Sequence, residues 1–361
     1  MAKRTAFYEI HKSLSATITD FHGWELPVYY STPIAEHNAV RQKLGLFDVS
    51  HMGAIQVTGK DSEKLLQKVI PRDLSEMKDG KMHLGLMCNE AGKMLDDLVV
   101  YKFGEEKFWT VVNAGLYESN LDWIKRHAQG MEVEITSMRE QTAKLDLQGP
   151  LAEKALQKIA EGNLAEMKFY NFSEMKIAGI DCVVSRSGYT GEDGFELYFG
   201  QGNAKLLWEK LIDAGKEFGV IPCGLAARDS LRLEAGMLLS GQDFDEKRTP
   251  LESPYAKFVS WDKEFVGKEA LEKQRDSGIE EKLVGFELIE RGIPRHDCEF
   301  LKDGKKVGAT TSGSFSPTLK KGIGLGYIGE GLSFVGSEFK VNVRGKPIAA
   351  KVVKLPFYRR E

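Results

Sequence analysis

The segment Ser185–Tyr198 (S-R-S-G-Y-T-G-E-D-G-F-E-L-Y) concentrates side chains that could bind a ligand. It contains three glycines, Gly188, Gly191 and Gly194. Because glycine adopts backbone conformations that other residues resist, this spacing predicts a tight turn. The alternation of the following F-E-L-Y predicts a strand on which Glu196 and Tyr198 share one face. A turn that presents Tyr189 and a carboxylate from a fixed position suits a flat, hydrogen-bonding ligand, although an ordinary β-hairpin has the same glycine pattern.

A pair of acidic residues, Asp96 and Asp97, opens the apolar stretch L-V-V-Y. A carboxylate that points inward there could stabilise developing positive charge or manage a proton on a reacting amine. Asp97 and Tyr101 are separated by an even number of positions, so an unbroken strand would present both on one side. The alternative is a solvated acidic turn at the beginning of a strand.

Arg228 follows the small residues of G-L-A-A, which allow another segment to approach closely. Its guanidinium could grip a carboxylate or a polar ring edge, or it could form a salt bridge with Asp229 or another acid. Asn113 ends the strand-like V-V and could cap a turn or contact a ring edge, and in isolation the cap is favoured. His51 is expected to hold backbone groups, and Cys88 to pack in the core.

The sequence Gly324–Gly329 (G-L-G-Y-I-G) matches the GxGxxG pattern of dinucleotide-binding proteins. That pattern requires a preceding buried strand, a following helix and an acidic residue about twenty positions later. Here more glycines follow, and too little chain remains for a βαβ unit. The segment is therefore predicted to be a strand with its turn.

Composition places the chain among globular proteins of more than one domain. It has 361 residues, of which 42% are hydrophobic and 29% are charged, and a single core of this size is unusual. The net charge of -3, from 50 basic and 53 acidic residues, gives no electrostatic case for nucleic acid. The high glycine content, 37 residues against 11 prolines, favours many tight turns and abundant β structure.

The four cysteines show no CxxC spacing, and the seven histidines form no HxxxH or HExxH pair. Neither a metal site nor a disulfide framework is therefore expected. The opening M-A-K-R-T-A-F-Y-E lacks an apolar signal core, and no apolar run approaches the length of a membrane span. These features predict a cytoplasmic protein that binds no membrane.

Periodicity predicts strands that alternate with helices, most clearly over residues 54–140, as in a small α+β unit. Helices are expected over 34–44, 61–70, 117–128, 152–160, 204–218 and 225–235, and the charged run 263–282 is expected to form a helical connector. Beyond residue 283 only short alternating segments broken by glycines remain, which predicts a small terminal β domain.

Taken together, these segments closely resemble the glycine cleavage T-protein family of aminomethyltransferases. The matching blocks occur in order along nearly the whole chain: D-F-H-G-W-E-L-P (20–27), F-D-V-S-H-M-G (47–53), L-D-D-L-V-V-Y (95–101), V-V-N-A (111–114), L-Q-G-P (147–150), S-R-S-G-Y-T-G-E-D-G-F-E-L (185–197), C-G-L-A-A-R-D-S-L-R-L-E-A-G (223–236), F-V-G-K-E-A-L (265–271), T-S-G-S-F-S-P-T-L (311–319) and P-F-Y (356–358). The ordered set is specific, whereas no single block is. Leu84 departs from it at a position where relatives often carry tyrosine, and Met237 lies at a variable position that is aromatic or apolar in relatives.

The resemblance implies an α+β, strand-rich fold of three domains around a central folate channel. The implied boundaries are a folate-binding domain from 1–53 and 141–245, an α+β domain over 54–140, a connector over 246–282 and a C-terminal β-barrel over 283–361. It also implies transfer of a methylene group from an aminomethyl-lipoyl arm, carried by the H-protein, to tetrahydrofolate. Ammonia and 5,10-methylenetetrahydrofolate are the products, with no metal or nucleotide cofactor. Functional links to glycine decarboxylase and lipoamide dehydrogenase follow.

The family's functional residues fall on positions already singled out. Its essential aspartate falls on Asp97, and its pterin-binding tyrosine and glutamate fall on Tyr189 and Glu196. Its folate-contacting arginine falls on Arg228, and Asn113 and Tyr101 belong to segments expected to line the pocket.

A folate-dependent demethylase or a non-catalytic folate-binding protein is the main alternative. The assembly-factor signature K-G-C-Y-x-G-Q-E is replaced here by S-G-Y-T-G-E-D. A nucleotide-dependent oxidoreductase would depend only on the glycine pattern at 324–329, and a pure binding module would leave Asp97 in solvent.

Overall fold

The computed structural model describes residues 2–360 as a strand-rich α+β protein. Its strands are β1 (Lys3–Arg4), β2 (Thr17–Phe21), β3 (Trp24–Tyr29), β4 (Gly45–Asp48), β5 (Gly53–Thr58), β6 (Lys81–Cys88), β7 (Met94–Gly104), β8 (Lys107–Val112), β9 (Glu134–Ser137), β10 (Thr142–Gln148), β11 (Phe172–Ile177), β12 (Ile180–Arg186), β13 (Gly194–Gly200), β14 (Ile221–Pro222), β15 (Glu281–Leu288), β16 (Glu299–Lys302), β17 (Lys305–Ser316), β18 (Lys321–Gly329), β19 (Glu338–Val343) and β20 (Lys346–Val353).

The α-helices are short, and all except α1, which the sequence analysis did not predict, lie near their predicted positions. They are α1 (Tyr8–Ser13), α2 (Pro33–Gln42), α3 (Ser62–Val69), α4 (Tyr117–His127), α5 (Ala152–Gln157), α6 (Ala204–Gly215), α7 (Leu225–Glu234) and α8 (Lys268–Ser277). Helix α8 is shorter than the predicted helical run 263–282. Gly267 and Gly278 flank it with φ of +89° and +86°, a region that favours glycine and that interrupts a helix. In the described residues, no helix is long and apolar enough to span a membrane.

The chain divides into two compact units. The first comprises the chain up to Leu66 together with Leu74–Leu84 and Leu98–Asp229, and the second comprises Gln67–Asp73, Gly85–Asp97 and the chain from Ser230 onward. The predicted domain boundaries follow a different division and stay a prediction.

A six-stranded sheet, in the order β11-β12-β13-β10-β4-β14, forms the centre of the first unit. Alternate residues of β10 and β13 place leucine and phenylalanine side chains on one face, where they form a core with α5 and α6. Each fully buried leucine or phenylalanine contributes about 1.5–3 kcal/mol through the hydrophobic effect. The opposite face of β10 carries Lys144, Asp146 and Gln148, and all three are buried as well.

A second sheet explains why this polar face is buried. It has the order β6-β7-β8-β5-β9, and within the first unit its residues Tyr101, Trp109 and Val111 cluster with Val183 and Tyr198 of the six-stranded sheet. The aromatic rings of Tyr101 and Tyr198 meet edge to face with centroids 5.7 Å apart. The polar side chains of β10 are therefore enclosed rather than exposed to solvent.

The second unit contains a closed barrel of six strands, in the order β15-β18-β17-β16-β19-β20. Phe286, Phe300 and Phe339 pack in its centre with ring centroids 4.6–5.8 Å apart. A Cβ atom added at Gly324 or Gly326 would lie 2.6 Å from one of these rings. The glycines of the GxGxxG segment therefore make room for barrel side chains within β18. The predicted C-terminal β-barrel and the strand-rich α+β class are confirmed.

Candidate functional site

The glycine turn that precedes β13 folds around one buried amide. Gly191 alone of the three glycines has a left-handed φ, +82°. A Cβ atom at Gly188 or Gly194 would lie within 2.2 Å of the Gln148 side chain. These two positions therefore require glycine because the backbone packs closely against Gln148, and not because of a left-handed φ. The expectation that all three supply unusual backbone angles is wrong for Gly188 and Gly194. Gln148 in turn donates to the Ser187 carbonyl and accepts from the Thr190 hydroxyl, which fixes the turn on β10.

Glu196 lies on β13 at the centre of the enclosed polar face. The antiparallel register pairs it with Asp146 of β10 and with Ser185 of β12. Its Oε1 accepts from Lys144 Nζ at 2.7 Å, and its Oε2 accepts from the Ser187 hydroxyl at 3.0 Å and from the Tyr101 hydroxyl at 3.4 Å. Glu196 is 8% exposed and Lys144 has a side-chain exposure of 3%. Strong, charge-assisted contacts therefore fix the orientation of this carboxylate.

Arg228 connects Tyr189 to the same cluster. Its Nη1 lies 3.4 Å from Asp146 Oδ2, and its guanidinium lies 4.8 Å from the centroid of the Tyr189 ring. Asp146 also accepts from Gln148 Nε2 at 2.6 Å. Arg228 therefore forms the expected salt bridge with an acidic residue, and that residue is Asp146. Four residues predicted from sequence, Tyr101, Tyr189, Glu196 and Arg228, thus belong to one contact network around Lys144 and Asp146.

The two buried carboxyl groups have opposite pKa shifts. Burial alone would raise the pKa of Glu196, but the attraction and hydrogen bond of Lys144, together with Ser187, lower it below its usual value. For Asp146, burial and the negative charge of Glu196 outweigh the attraction of Arg228 and raise the pKa to about 7. Glu196 is accordingly ionised at neutral pH, whereas Asp146 titrates there.

The phenols beside Glu196 remain protonated. The hydroxyls of Tyr101 and Tyr198 are 3.0 Å apart, and burial raises the pKa of both groups well above its ordinary value. Each phenol therefore keeps a proton that it can donate within this cluster, and no phenolate competes with Glu196 for a ligand's donors.

Asp97 lies in the second unit, near the beginning of the continuous strand β7, and is half-buried. The hydroxyl of Tyr255 donates to its Oδ2 at 2.7 Å, and Tyr255 is itself buried. Its neighbour Asp96 is fully buried, so the alternative of a solvated acidic turn is wrong. The catalytic role of Asp97 stays a prediction.

Asn113 and His51 differ in part from what the sequence suggested. Asn113 precedes the 3₁₀ turn Ala114–Leu116, and its side chain makes no capping hydrogen bond, so the favoured cap interpretation is wrong. The backbone carbonyl of His51, not its ring, contacts Arg139, and the His51 Nδ1 is buried with no partner among the described residues. Burial and the charge of Arg228 lower the pKa of His51 to about 3, so the ring is neutral. Cys88 is buried in the core, as expected.

Lys144, Asp146, Gln148 and Tyr255 are site residues that the sequence did not single out. The first three alternate with apolar residues in K-L-D-L-Q, a pattern that ordinarily indicates a solvated sheet face. The two charged residues within an otherwise largely apolar strand were a usable signal, but nothing in the sequence around Tyr255 distinguishes it. Within residues 2–360, no group of three His, Cys, Asp or Glu side chains is placed to hold a metal ion.

Comparisons with known proteins find relatives along nearly the whole chain. Residues 7–263 match the model of the GCVT N-terminal domain, and residues 281–359 match that of the glycine cleavage T-protein C-terminal barrel domain. An aminomethyltransferase of Thermoanaerobacter pseudethanolicus is 47% identical over 360 residues, covering 99% of this chain and 98% of the relative. An aminomethyltransferase of a Geobacillus species is 45% identical over 363 residues, covering the whole of both chains.

A solved structure shows the same fold. The crystal structure of the glycine cleavage system aminomethyltransferase T from Bartonella henselae superposes with a TM-score of 0.94 at 33% identity, covering 100% of this chain and 99% of that one. Fold and sequence therefore define a one-carbon transferase of the T-protein type. The chain belongs to the glycine cleavage T-protein family, and the predicted family and enzyme class, an aminomethyltransferase of the glycine cleavage system, are confirmed.

Proposed function

We propose that the substrates of this aminomethyltransferase are the aminomethyl-dihydrolipoyl arm of the H-protein and tetrahydrofolate. The carbon–nitrogen and carbon–sulfur bonds of the S-aminomethyl group break, and the methylene carbon joins the two folate nitrogens to give 5,10-methylenetetrahydrofolate. Of the two protons that these nitrogens lose, one leaves with ammonia and the other ends on the lipoyl sulfur. The lipoyl arm is left as a dithiol. The single observation that carries the proposal is the buried, ionised carboxylate of Glu196, fixed by Lys144 within the network that includes Tyr189 and Arg228.

Glu196 is the proposed acceptor for the pterin. A pterin edge offers a ring N–H and an amino group side by side, and an ionised carboxylate has enough lone pairs to accept both while it keeps other partners. The Tyr189 ring provides a flat surface beside the guanidinium of Arg228, and a π-face of this kind suits a planar heterocycle. Tyr101 and Asn113 complete the proposed folate-binding set.

Asp97 is the proposed catalytic residue. Its carboxylate would orient the nucleophilic amine and stabilise the cationic iminium character that develops as ammonia departs. The hydrogen bond from Tyr255 limits the rotation of this carboxylate. Because the folate nitrogen is itself the nucleophile, no activated side chain is needed, and much of the catalysis would come from holding both substrates together.

The remaining elements of the proposal concern partners and setting. The lipoylated H-protein is the macromolecular substrate, and glycine decarboxylase and lipoamide dehydrogenase supply and reoxidise its arm. Tetrahydrofolate serves as co-substrate without a metal or nucleotide. A cytoplasmic location stays a prediction that cell fractionation would test.

The decisive experiment combines the chain with aminomethylated H-protein and tetrahydrofolate and measures released ammonia and 5,10-methylenetetrahydrofolate. Two variants separate chemistry from binding. Asp97→Asn is expected to abolish most transfer while folate affinity stays nearly normal, and Glu196→Ala is expected to weaken folate binding measured by calorimetry. Near-normal turnover of the first variant, or unchanged affinity of the second, would contradict the assigned role. Transfer from a free N-methylated amine in place of H-protein would favour the demethylase alternative.

A further inference from the structure

Two buried charges lie beside Glu196, and the function proposed above assigns a contact with a substrate to neither of them. Lys144 and Asp146 occupy alternate positions of β10, on the face opposite the leucine core, with β13 as the neighbouring strand, and Asp146 is fully buried. Burying a lysine and an aspartate costs several kcal/mol for each ion unless good partners compensate. Apolar residues would pack this face at lower cost, so the charges call for a functional explanation.

The contacts of Lys144 all lead to the binding carboxylate and its surroundings. Its Nζ is 2.7 Å from Glu196 Oε1 and 4.8 Å from the centroid of the Tyr198 ring. Register places Lys144 opposite Tyr198, two positions along the strands from the pair formed by Asp146 and Glu196 and on the same face. The ammonium therefore extends diagonally from β10 to the neighbouring strand β13, where it contacts one oxygen of Glu196. Ser187 and Tyr101 contact the other oxygen.

We propose that Lys144 is a positioning residue for pterin recognition, which keeps Glu196 ionised and in a single orientation so that its free lone pairs meet the ligand's paired N–H donors. This inference rests on the proposed function, because it concerns the same carboxylate. Without the ammonium, Glu196 would be a buried carboxylate beside a second acid. Its neutral form, which carries a proton on one oxygen and accepts poorly, would then become populated near neutral pH.

Other titratable and charged groups face Glu196 and must be considered in any pH experiment. They are Asp146 from β10, Tyr101 from β7, Tyr198 from β13 itself and Arg228 from α7, and beyond these lies His51, which is repelled by Arg228 and Lys144. Both phenols keep their protons between pH 6 and pH 8, and the His51 ring stays neutral. Asp146 titrates in this window, and because the charge of Lys144 lowers its pKa, the effect of Lys144→Met is also measured in the Asp146→Asn background, where this titration is absent.

The test measures the Kd of tetrahydrofolate by calorimetry for wild type, Lys144→Met and Lys144→Arg at pH 6, 7 and 8. The quantity compared is the ratio of variant to wild-type Kd, in which the ligand's own titration cancels. For Lys144→Met the ratio is expected to be at least about tenfold at pH 6 and to fall by several fold at pH 8, since loss of the ionised form changes affinity by up to about tenfold per pH unit. Lys144→Arg keeps the charge, and its ratio is expected to stay near one and flat.

Controls separate this effect from damage to the fold. Lys176→Met removes an exposed lysine that pairs with Asp181 on the same sheet, and it is expected to leave the Kd unchanged at each pH. If Lys144→Met does not fold, as judged by circular dichroism, Lys144→Gln replaces it with the same expectation. If the ratio of the Lys144→Met Kd to the wild-type Kd is equal at pH 6 and pH 8, whatever its size, this inference is overturned and the proposed function is unaffected. A wild type that binds no tetrahydrofolate overturns the inference and the proposed function together.

Discussion

Replacing Asp146 with asparagine should stabilise the protein, and increasingly so as the pH rises. Asp146 is fully buried, and its pKa is raised to about 7 by burial and by the charge of Glu196. In an unfolded chain the pKa of an aspartate is about 3.9. Between these two values the folded chain retains a proton that the unfolded chain has released, so the free energy of unfolding falls as pH rises. Above pH 7 both states are ionised, and the loss reaches a plateau.

The size of the effect follows from the interval between the two pKa values. Each pKa unit corresponds to about 1.36 kcal/mol, so the interval of about three units makes a cost of about 4 kcal/mol at pH 8 and about 1.5 kcal/mol at pH 5. Asparagine imitates the neutral acid and escapes this cost. The advantage of Asp146→Asn in free energy of unfolding should therefore grow by about 2.5 kcal/mol from pH 5 to pH 8. Altered hydrogen bonds to Gln148 or Arg228 would change the free energy of unfolding of the variant by the same amount at pH 5 and at pH 8. The increase in its advantage between these pH values would therefore remain.

Urea unfolding of wild type and Asp146→Asn at pH 5, 6, 7 and 8, followed by circular dichroism, measures this growth. The infrared band of a protonated carboxyl should be present in the wild type at pH 6, lost at pH 8, and reduced in the variant at pH 6. Asp181→Asn is the matched control, because the Asp181 side chain is 89% exposed on the same sheet. An advantage of the same size at pH 5 and pH 8 would refute the reasoning, since it would mean that Asp146 is already ionised throughout.

Two further variants examine the hydrogen bond at Asp97 and a buried network elsewhere. Tyr255→Phe removes the donor 2.7 Å from Asp97, so kcat for methylene transfer should fall while the Kd of tetrahydrofolate changes little, and an unaltered kcat would exclude a contribution from this bond. Asp48→Asn disrupts the buried contact between Asp48 Oδ2 and His11 Nε2 at 2.9 Å and should cost about 3–5 kcal/mol at pH 7. Burial opposes ionisation of Asp48, but the contacts with His11 and Thr5 lower its pKa. The deficit should therefore shrink below about pH 4, where the unfolded aspartate gains its proton; a deficit independent of pH in denaturant titrations would contradict this assignment.

Local patterns in the sequence were sufficient to predict the glycine turn and most elements. Glycine spacing predicted a tight turn before β13, and the F-E-L-Y alternation placed Glu196 and Tyr198 on the face opposite the core. Both features depend on neighbours within a few residues. The end points of α8 were less accessible, because the helix-favouring charged residues continue on both sides and only Gly267 and Gly278 limit the helix.

The polar half of the site could not be predicted because its burial is a tertiary property. In a sheet with one covered face, the positions of Lys144 and Asp146 would be solvated, and charged residues would need no explanation. A second sheet, far away in sequence, covers them through Tyr101 and Trp109. Likewise, the hydrogen bond from Tyr255 to Asp97 joins residues 158 positions apart, and no periodicity connects two such segments.

The arrangement around Glu196 is better explained by ligand recognition than by stability. A buried cluster with Lys144, Arg228, Glu196 and Asp146 places ions where apolar residues of similar volume are commonly at least as stable. One of the acids even carries a raised pKa, which means that the fold tolerates an unfavourable charge at neutral pH. Destabilised groups of this kind concentrate at functional sites, where they are oriented in advance for a partner that is absent from the folding reaction. A planar ligand with paired N–H donors would supply the favourable contacts that this face lacks on its own. Stabilisation by Asp146→Asn and loss of folate affinity in Lys144→Met would then have the same physical origin.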